Sequence, residues 1–494
     1  MYSIGYDIGS SSIKAALVAT ASGKSLDVVS EPKVEMGMIA LENGWAEQHP
    51  DDWWQHVCNA TKALLQKHNL DPNDVTGIGI SYQMHGLVVV DENGIPLRNS
   101  IIWCDSRAVN IGQKAFDALG NDKCASQLLN SPANFTASKL KWVKDNEPEV
   151  YQKIYKFMLP GDYVAYKLSG EICSTISGLS EGIFWDFKNN GIADWLLEHY
   201  GIDKKKVPDL AETFSVQGKV SKEGAAASGL APGTPILYRA GDQPNNALSL
   251  NVFNPGEVAT TGGTSGVVYA ITENLSVKES SRVNNFAHVN YTVSNHRIGK
   301  LLCINGSGIQ YRWLMNNLDV SDYSEMNDLA ASVPIGSDGV LIHPFGNGAE
   351  RMLDNKTLGT QMSNINLNNH SKAHLCRAAL EGIAFSFVYG MEIMESDGIR
   401  PTVIRAGNDN LFRSDIFSET IATLIGQEIE IYDTTGAIGA ARACELYKGD
   451  FKTFGKNIMD NDYLMKFEPS RNRSEYESAY NKWKQQLKLL INNS

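Results

Sequence analysis

The feature that most constrains this chain is a strand–turn–strand motif that occurs twice, about half a chain apart. Residues 2–8 (Tyr-Ser-Ile-Gly-Tyr-Asp-Ile) and 13–19 (Ile-Lys-Ala-Ala-Leu-Val-Ala) read as strands, and Gly9-Ser10-Ser11-Ser12 makes a tight turn between them. The pattern returns at 257–261 and 267–271, with Gly262-Gly263-Thr264-Ser265-Gly266 as the turn. A unit repeated at this separation points to two domains of one ancestry. At 494 residues the chain is several times the usual domain size. The expectation is therefore two domains, 1–240 and 241–494, each with such a hairpin at its start.

The remaining pattern is α/β. A third strand at about 26–34 completes an antiparallel meander. From Pro50 to about His68 the period becomes helical, with Trp53, Val57, Ala60 and Leu64 on one face. Short apolar strands at 76–81 and 87–90 flank the polar loop Tyr82-Gln83-Met84-His85-Gly86. In the second half, Ser371 caps a helix running to about Ser396. A strand at 403–406, a helix at 414–425 and a strand at 428–432 follow. Gly436-Ala437-Ile438-Gly439 opens a small-residue helix to about Tyr447, suited to close packing on a sheet or a ligand. The tail at 474–493 reads as a polar surface helix.

A formal charge of −12 excludes a general binder of nucleic acid or anionic membrane, since those partners need a basic face. It leaves room for a phosphate compound, which a few backbone N–H groups and one cation can hold. The seven cysteines are odd in number and form no C-x-x-C, so neither a zinc site nor a disulfide framework is indicated. The first residues carry Asp7 and a Gly/Ser cluster, unlike a signal peptide. No apolar run approaches the roughly 18 residues of a spanning helix. Reduced thiols in a cytoplasmic protein are the expectation, with a homodimer allowed.

Absent motifs narrow the chemistry. Ala21-Ser22-Gly23-Lys24-Ser25 is like the end of a P-loop, but Val18 stands where the first glycine belongs, so a solvated turn is the better reading. There is no H-E-x-x-H or complete G-x-G-x-x-G, which leaves metalloprotease and dinucleotide readings without support. Two Gly/Ser/Thr hairpins can instead clasp a polyphosphate, because successive N–H groups in tight turns form anion-binding concavities. Either hairpin alone reads equally as a connector. Asp7 lies inside an apolar strand, where an unpartnered carboxylate is costly, and it can hold a magnesium ion through water. Asp242 follows an apolar strand in Ala240-Gly241-Asp242-Gln243, placed to take a proton from a hydroxyl or to cap the next helix. Gln83 and His85 can hydrogen-bond a polyol and Met84 can give adaptable apolar contact. Asp105 and Arg107 suit sugar hydroxyls, or form an ion pair.

In this order the pieces resemble the FGGY carbohydrate kinases, whose two actin-like (ribonuclease H-like) domains enclose a cleft. The resemblance covers Gly5-Tyr6-Asp7-Ile8-Gly9-Ser10-Ser11, Gly44-Trp45-Ala46-Glu47-Gln48-His49-Pro50, Gln83-Met84-His85-Gly86, Phe135-Thr136-Ala137-Ser138-Lys139-Leu140, Gly241-Asp242 and Thr261-Gly262-Gly263-Thr264-Ser265-Gly266. Within the family it is most similar to the xylulokinases. It implies ATP-dependent phosphorylation of D-xylulose to D-xylulose 5-phosphate, with Mg²⁺ near Asp7. By the same resemblance Asp242 is the catalytic base, and Gln83, Met84, His85, Asp105, Arg107 and Gln243 face the sugar. Gly9, Ser10, Ser11, Lys14, Gly262, Gly263, Thr264 and Ser265 would face phosphate, and Gly407, Asn408 and Asn410 the adenosine. The chain departs from the family pattern at Cys104, at Gln243-Pro244-Asn245-Asn246, at Gly348-Ala349-Glu350-Arg351-Met352, and at Arg405 and Ala406, where glycines are usual. Those last two are expected to narrow the slot for the base. Rival readings are a kinase for ribulose, fuculose or gluconate, an actin-like or chaperone-like ATPase, and a sugar-binding regulator without turnover.

Overall fold

The computed structural model describes residues 1–493; Ser494 and the side chain of Asn410 lie outside the described residues. Six strands build the first sheet: β1 (Tyr2–Ile8), β2 (Ile13–Ala19), β3 (Ser25–Glu31), β4 (Val75–Tyr82), β5 (Gly218–Lys219) and β6 (Pro235–Gly241). Their order is β5-β6-β4-β1-β2-β3. β1, β2 and β3 are the expected antiparallel meander, while β4 lies parallel to β1 and β6 parallel to β4. The 257–261 and 267–271 segments become β7 (Glu257–Gly262) and β8 (Gly266–Thr272) of a second sheet. Its other strands are β9 (Asn284–Ala287), β10 (Ile298–Ile304), β11 (Val403–Gly407), β12 (Ile429–Tyr432) and β13 (Tyr463–Phe467). They run in the order β9-β10-β8-β7-β11-β12-β13.

Outward from their central strands, β1 and β7, the sheets match. Each has a hairpin partner and a further antiparallel strand on one side and two successive parallel strands on the other. The repeated hairpin is thus the visible part of a repeated topology.

Parallel strands are buried on both faces, and β4 is buried along almost its whole length. Helix α1 (Pro50–Lys67) covers one face of the first sheet with Trp53, Val57, Ala60 and Leu64. Further along lie α2 (Thr136–Asn146), α3 (Ile176–Glu181), α4 (Asp242–Ser249), α5 (Gly308–Asn317) and α6 (Lys372–Ser396). The small-residue helix α7 (Gly436–Ala443), which follows β12, crosses back onto the first sheet. It approaches so closely that a Cβ on Gly5 or Gly79 would lie 2.0 or 1.9 Å from the carbonyl oxygens of Ala437 and Ala440. α7 ends at Ala443, and the last expected turn, Cys444–Tyr447, is a 3₁₀ helix.

The tail corrects one expectation. Helix α8 (Arg473–Asn492) is not a polar surface element: Tyr476, Tyr480, Trp483 and Leu487 form a buried stripe at helical spacing, and the Trp483 indole donates to Ile342 O at 2.9 Å. Its charged outer face hid that stripe. Among the described residues no helix is long and apolar enough to cross a membrane, and no three metal-ligating side chains cluster.

Candidate active site

The two hairpins and the ends of β4 and β6 bring the polar groups together. In β1, Asp7 stands opposite Lys14 of β2 and Ser81 of β4. The Ser81 hydroxyl donates to Asp7 Oδ1 at 3.2 Å. Burial raises the Asp7 carboxyl above its usual range, against the pull of Lys14 and Ser81. A Cβ on Gly436, the first residue of α7, would come within 2.9 Å of Asp7 Oδ2, so this glycine leaves the carboxylate room. Asn245 Nδ2 donates to Gly436 O at 2.9 Å and ties α4 to the same point.

Asp242 is the first residue of α4, directly after β6. The N-cap is Gly241, which has no side chain, so the capping reading of Asp242 loses its geometry. Burial and the charge of Asp7 raise Asp242 to about 7, against hydrogen bonds from Gln243. A carboxylate near that value is suited to accept a proton at neutral pH. The Asp7 charge raises the proton affinity of Asp242, and a divalent cation would relieve that repulsion. Among the described residues no three ligating side chains cluster here, and phosphate oxygens would share in such an ion's shell.

The loop after β4 forms the facing wall. Gln83 N–H donates to Ile8 O at 2.8 Å, while its side-chain Oε1 is buried without a partner. Met84 is buried against Gly241, where an added Cβ would meet its Cγ at 2.6 Å. His85 has a left-handed backbone, φ 62°. Its ring lies between Phe135 and Phe286, with centroids 4.7 and 5.3 Å away. His85 Nδ1 donates to the Glu181 carbonyl at 3.0 Å. A carbonyl can only accept, so Nδ1 carries the proton. Burial, then the Lys139 charge, hold the ring's pKa down at about 3. The imidazole is therefore neutral, and Nε2 is left as an acceptor.

Asp105 and Arg107 occupy a different position from this wall. Asp105 is fully buried: Ala46 N–H donates to its Oδ2 at 2.6 Å and Arg107 Nη2 lies 2.7 Å away. Arg107 also pairs with Glu47 at 2.7 Å and lies over the rings of Trp45 and Trp142, at 3.8 and 4.8 Å. Of the two readings, the ion pair is the one the geometry holds.

On the other side, the turn of the second hairpin is braced by α5. Gly308 and Ile309 N–H donate to Gly263 O and Thr264 O, each at 3.0 Å. Buried Glu350 accepts from Asn305 N–H at 2.9 Å and Gly306 N–H at 2.6 Å, and so fixes the turn that leads into α5. In the first hairpin Gly9 N–H donates to Ser12 O, and Ser10 O and Ser11 O accept from Gln48 Nε2 and Met36 N–H. Lys14 is exposed, with its charge felt by Asp7 and by Asp409 beyond β11.

Beside Gly263 opens a cavity of about 440 Å³, walled by Tyr311, Tyr323, Leu380, Leu411 and Arg413. The two tyrosine rings stack, 5.8 Å apart at 18°. Its size and aromatic lining suit a purine base. Gly407 ends β11; Asn408 N–H donates to Tyr432 O, and Arg413 Nε to Asn408 O, so Asn408 is tied to the cavity wall. Asn410 falls where no side chain is described. The expected crowding by Arg405 and Ala406 has no counterpart in this cavity. Arg405 pairs with Glu430 at 2.7 Å and Glu257 at 3.5 Å, and Ala406 is buried in the core.

Three further groups have no role assigned from the sequence. Glu181 is buried, neither carboxyl oxygen finds a well-aligned hydrogen bond, and a Cβ on Gly241 would lie 2.4 Å from its Oε2. Burial, with the charges of Asp242 and Asp162, raises it well above the carboxylate range. Lys139 is buried behind His85, and the amide of Gln310 is buried beside the second hairpin without a partner.

Two Gly/Ser/Thr hairpins, the buried carboxylate Asp242, a polar loop and an aromatic cavity make up a candidate phosphoryl-transfer site. The N-terminal domain model of the FGGY family of carbohydrate kinases matches residues 2–249 and the C-terminal domain model residues 258–445. The chain belongs to this family, and it is an ATP-dependent carbohydrate kinase. It is 27% identical to the xylulose kinase of Haemophilus influenzae over 99% of both chains, and 28% identical to that of Escherichia coli over 90% of this chain and 89% of the other. The crystal structure of xylulose kinase from Rhodospirillum rubrum superposes with a TM-score of 0.89 at 23% identity, covering 99% of both chains, and shares the fold.

Proposed function

We propose that the chain phosphorylates D-xylulose to D-xylulose 5-phosphate. The observation that carries this reading is the end-to-end likeness to relatives named as xylulose kinases. The site supplies a mechanism. The sugar rests on the loop holding Gln83, Met84 and His85, with His85 Nε2 accepting from one hydroxyl. Asp242, as carboxylate, takes the proton of the attacking hydroxyl. The sugar oxygen bonds to the γ-phosphorus as the bond to the β-phosphate oxygen breaks, and ADP leaves. The hairpin N–H groups and Lys14 stabilise charge on the transferring group, the main contribution required in phosphoryl transfer. A Mg²⁺ ion held by Asp7 together with the ATP phosphates would supply further charge neutralisation.

Seven unpaired thiols fit a reducing, cytoplasmic setting, and the acidic surface fits an enzyme without nucleic-acid partners. Initial rates of ADP formation over D-xylulose, ribulose, fuculose and gluconate test the substrate. The expected result is the highest kcat/KM for D-xylulose; a higher value for another acceptor reassigns the substrate while leaving the kinase intact.

A further inference from the structure

A buried cation stands behind the acceptor loop. Lys139, on α2, is fully buried, and its Nζ donates to His85 O and Ile102 O, each at 2.9 Å. The first of these carbonyls belongs to the residue with the left-handed backbone. For a residue other than glycine this conformation is strained and persists only where its surroundings fix it. The contacts around His85 do so from three sides. Lys139 holds its carbonyl, Glu181 O accepts from its ring, and Phe135 and Phe286 flank the imidazole.

A buried ammonium needs compensation, and here Asp105 provides it: its charge opposes the desolvation of Lys139, whose pKa is drawn down to about 7. Asp105 is in turn fixed by Arg107, and Arg107 by Glu47, Trp45 and Trp142. We propose that Lys139 is the positioning residue of the acceptor site: supported by Asp105 and Arg107, it locks His85 into the conformation that presents Nε2 to the sugar. This rests on the assignment of His85 to the acceptor side. It gives Asp105 and Arg107 an indirect part in sugar recognition, exerted through Lys139 and His85.

The test compares Lys139→Met, His85→Ala and the double variant, with Lys141→Met on the same helix as control. Lys141 pairs with Asp145 at the surface. Losing the hydrogen bond to His85 O should raise the D-xylulose KM roughly tenfold or more in Lys139→Met. The ATP KM should stay within about twofold, and Lys141→Met should match wild type. The double variant should be little worse than His85→Ala, since both changes act through one group. If His85→Ala leaves the sugar KM unchanged, the acceptor assignment fails. If His85→Ala raises it and Lys139→Met does not, the positioning role alone fails. Lys139→Gln, which keeps a donor, should lie between Met and wild type. Equal rises in both KM values, or loss of folding in both Lys139 variants, would make the lysine a general structural residue and overturn the proposal.

Discussion

Asp242 owes its proposed role to three neighbours. Gly241 takes the capping position, Asp7 raises its proton affinity, and Gln243 restrains that rise. Asp242→Asn keeps the shape and removes the proton acceptor. The expected kcat falls by roughly two to four orders of magnitude, with binding of sugar and ATP by calorimetry and the melting temperature nearly unchanged. Turnover near the wild-type rate would exclude Asp242 as the base. The acid form cannot accept a proton, so kcat/KM should rise about tenfold per pH unit on the acid side and level off above a pH of about 7. In a pH–rate profile that limb should be missing from Asp242→Asn. Asp242, Asp7 and the Gln83–His85 loop were legible in the sequence because an acid or polar cluster interrupted an apolar strand. Glu181 and Lys139 were not. Each lies in a segment whose local pattern is an ordinary helix, and their burial arises from contacts far away in the chain.

The hairpins show why an element needs its surroundings to become a site. The second turn is held by α5 through Gly308 and Ile309, and a Cβ on Gly308 would lie 2.4 Å from Gly263 O. Gly308→Ala must therefore displace the turn or strain it, a cost of about 1–3 kcal/mol. The expected outcome is a melting temperature lower by several degrees and an ATP KM raised more than the sugar KM. An unchanged ATP KM would place the turn away from the nucleotide. Sequence periodicity located the elements it named to within a few residues: α1, α6 and β11 lie where apolar spacing put them. It misjudged α8 because the charged outer face outweighed one aromatic residue per turn. It gave no hint of the ion pairs of Arg405, because the neighbouring strands β7 and β12, which supply Glu257 and Glu430, are distant in sequence.

At the scale of the whole molecule the two sheets are joined where the chemistry is. α4 runs from the end of the first sheet toward the second, and α7 returns from the second to the first. β9 reaches back to the first half through Ala287, which bonds to Ser177 and Ser180 at 2.9 Å each, and its Phe286 packs on His85. A sugar on the first half and a nucleotide on the second would thus meet at Asp242, and water should be a poor acceptor until the sugar is in place. Sugar dependence of ATP turnover tests this most directly: ADP release by the wild-type protein with ATP and Mg²⁺, with and without D-xylulose. The rate should be at least about two orders of magnitude higher with the sugar, with one sugar phosphate formed per ADP. Equal rates with and without the sugar would contradict this and make the protein an ATPase.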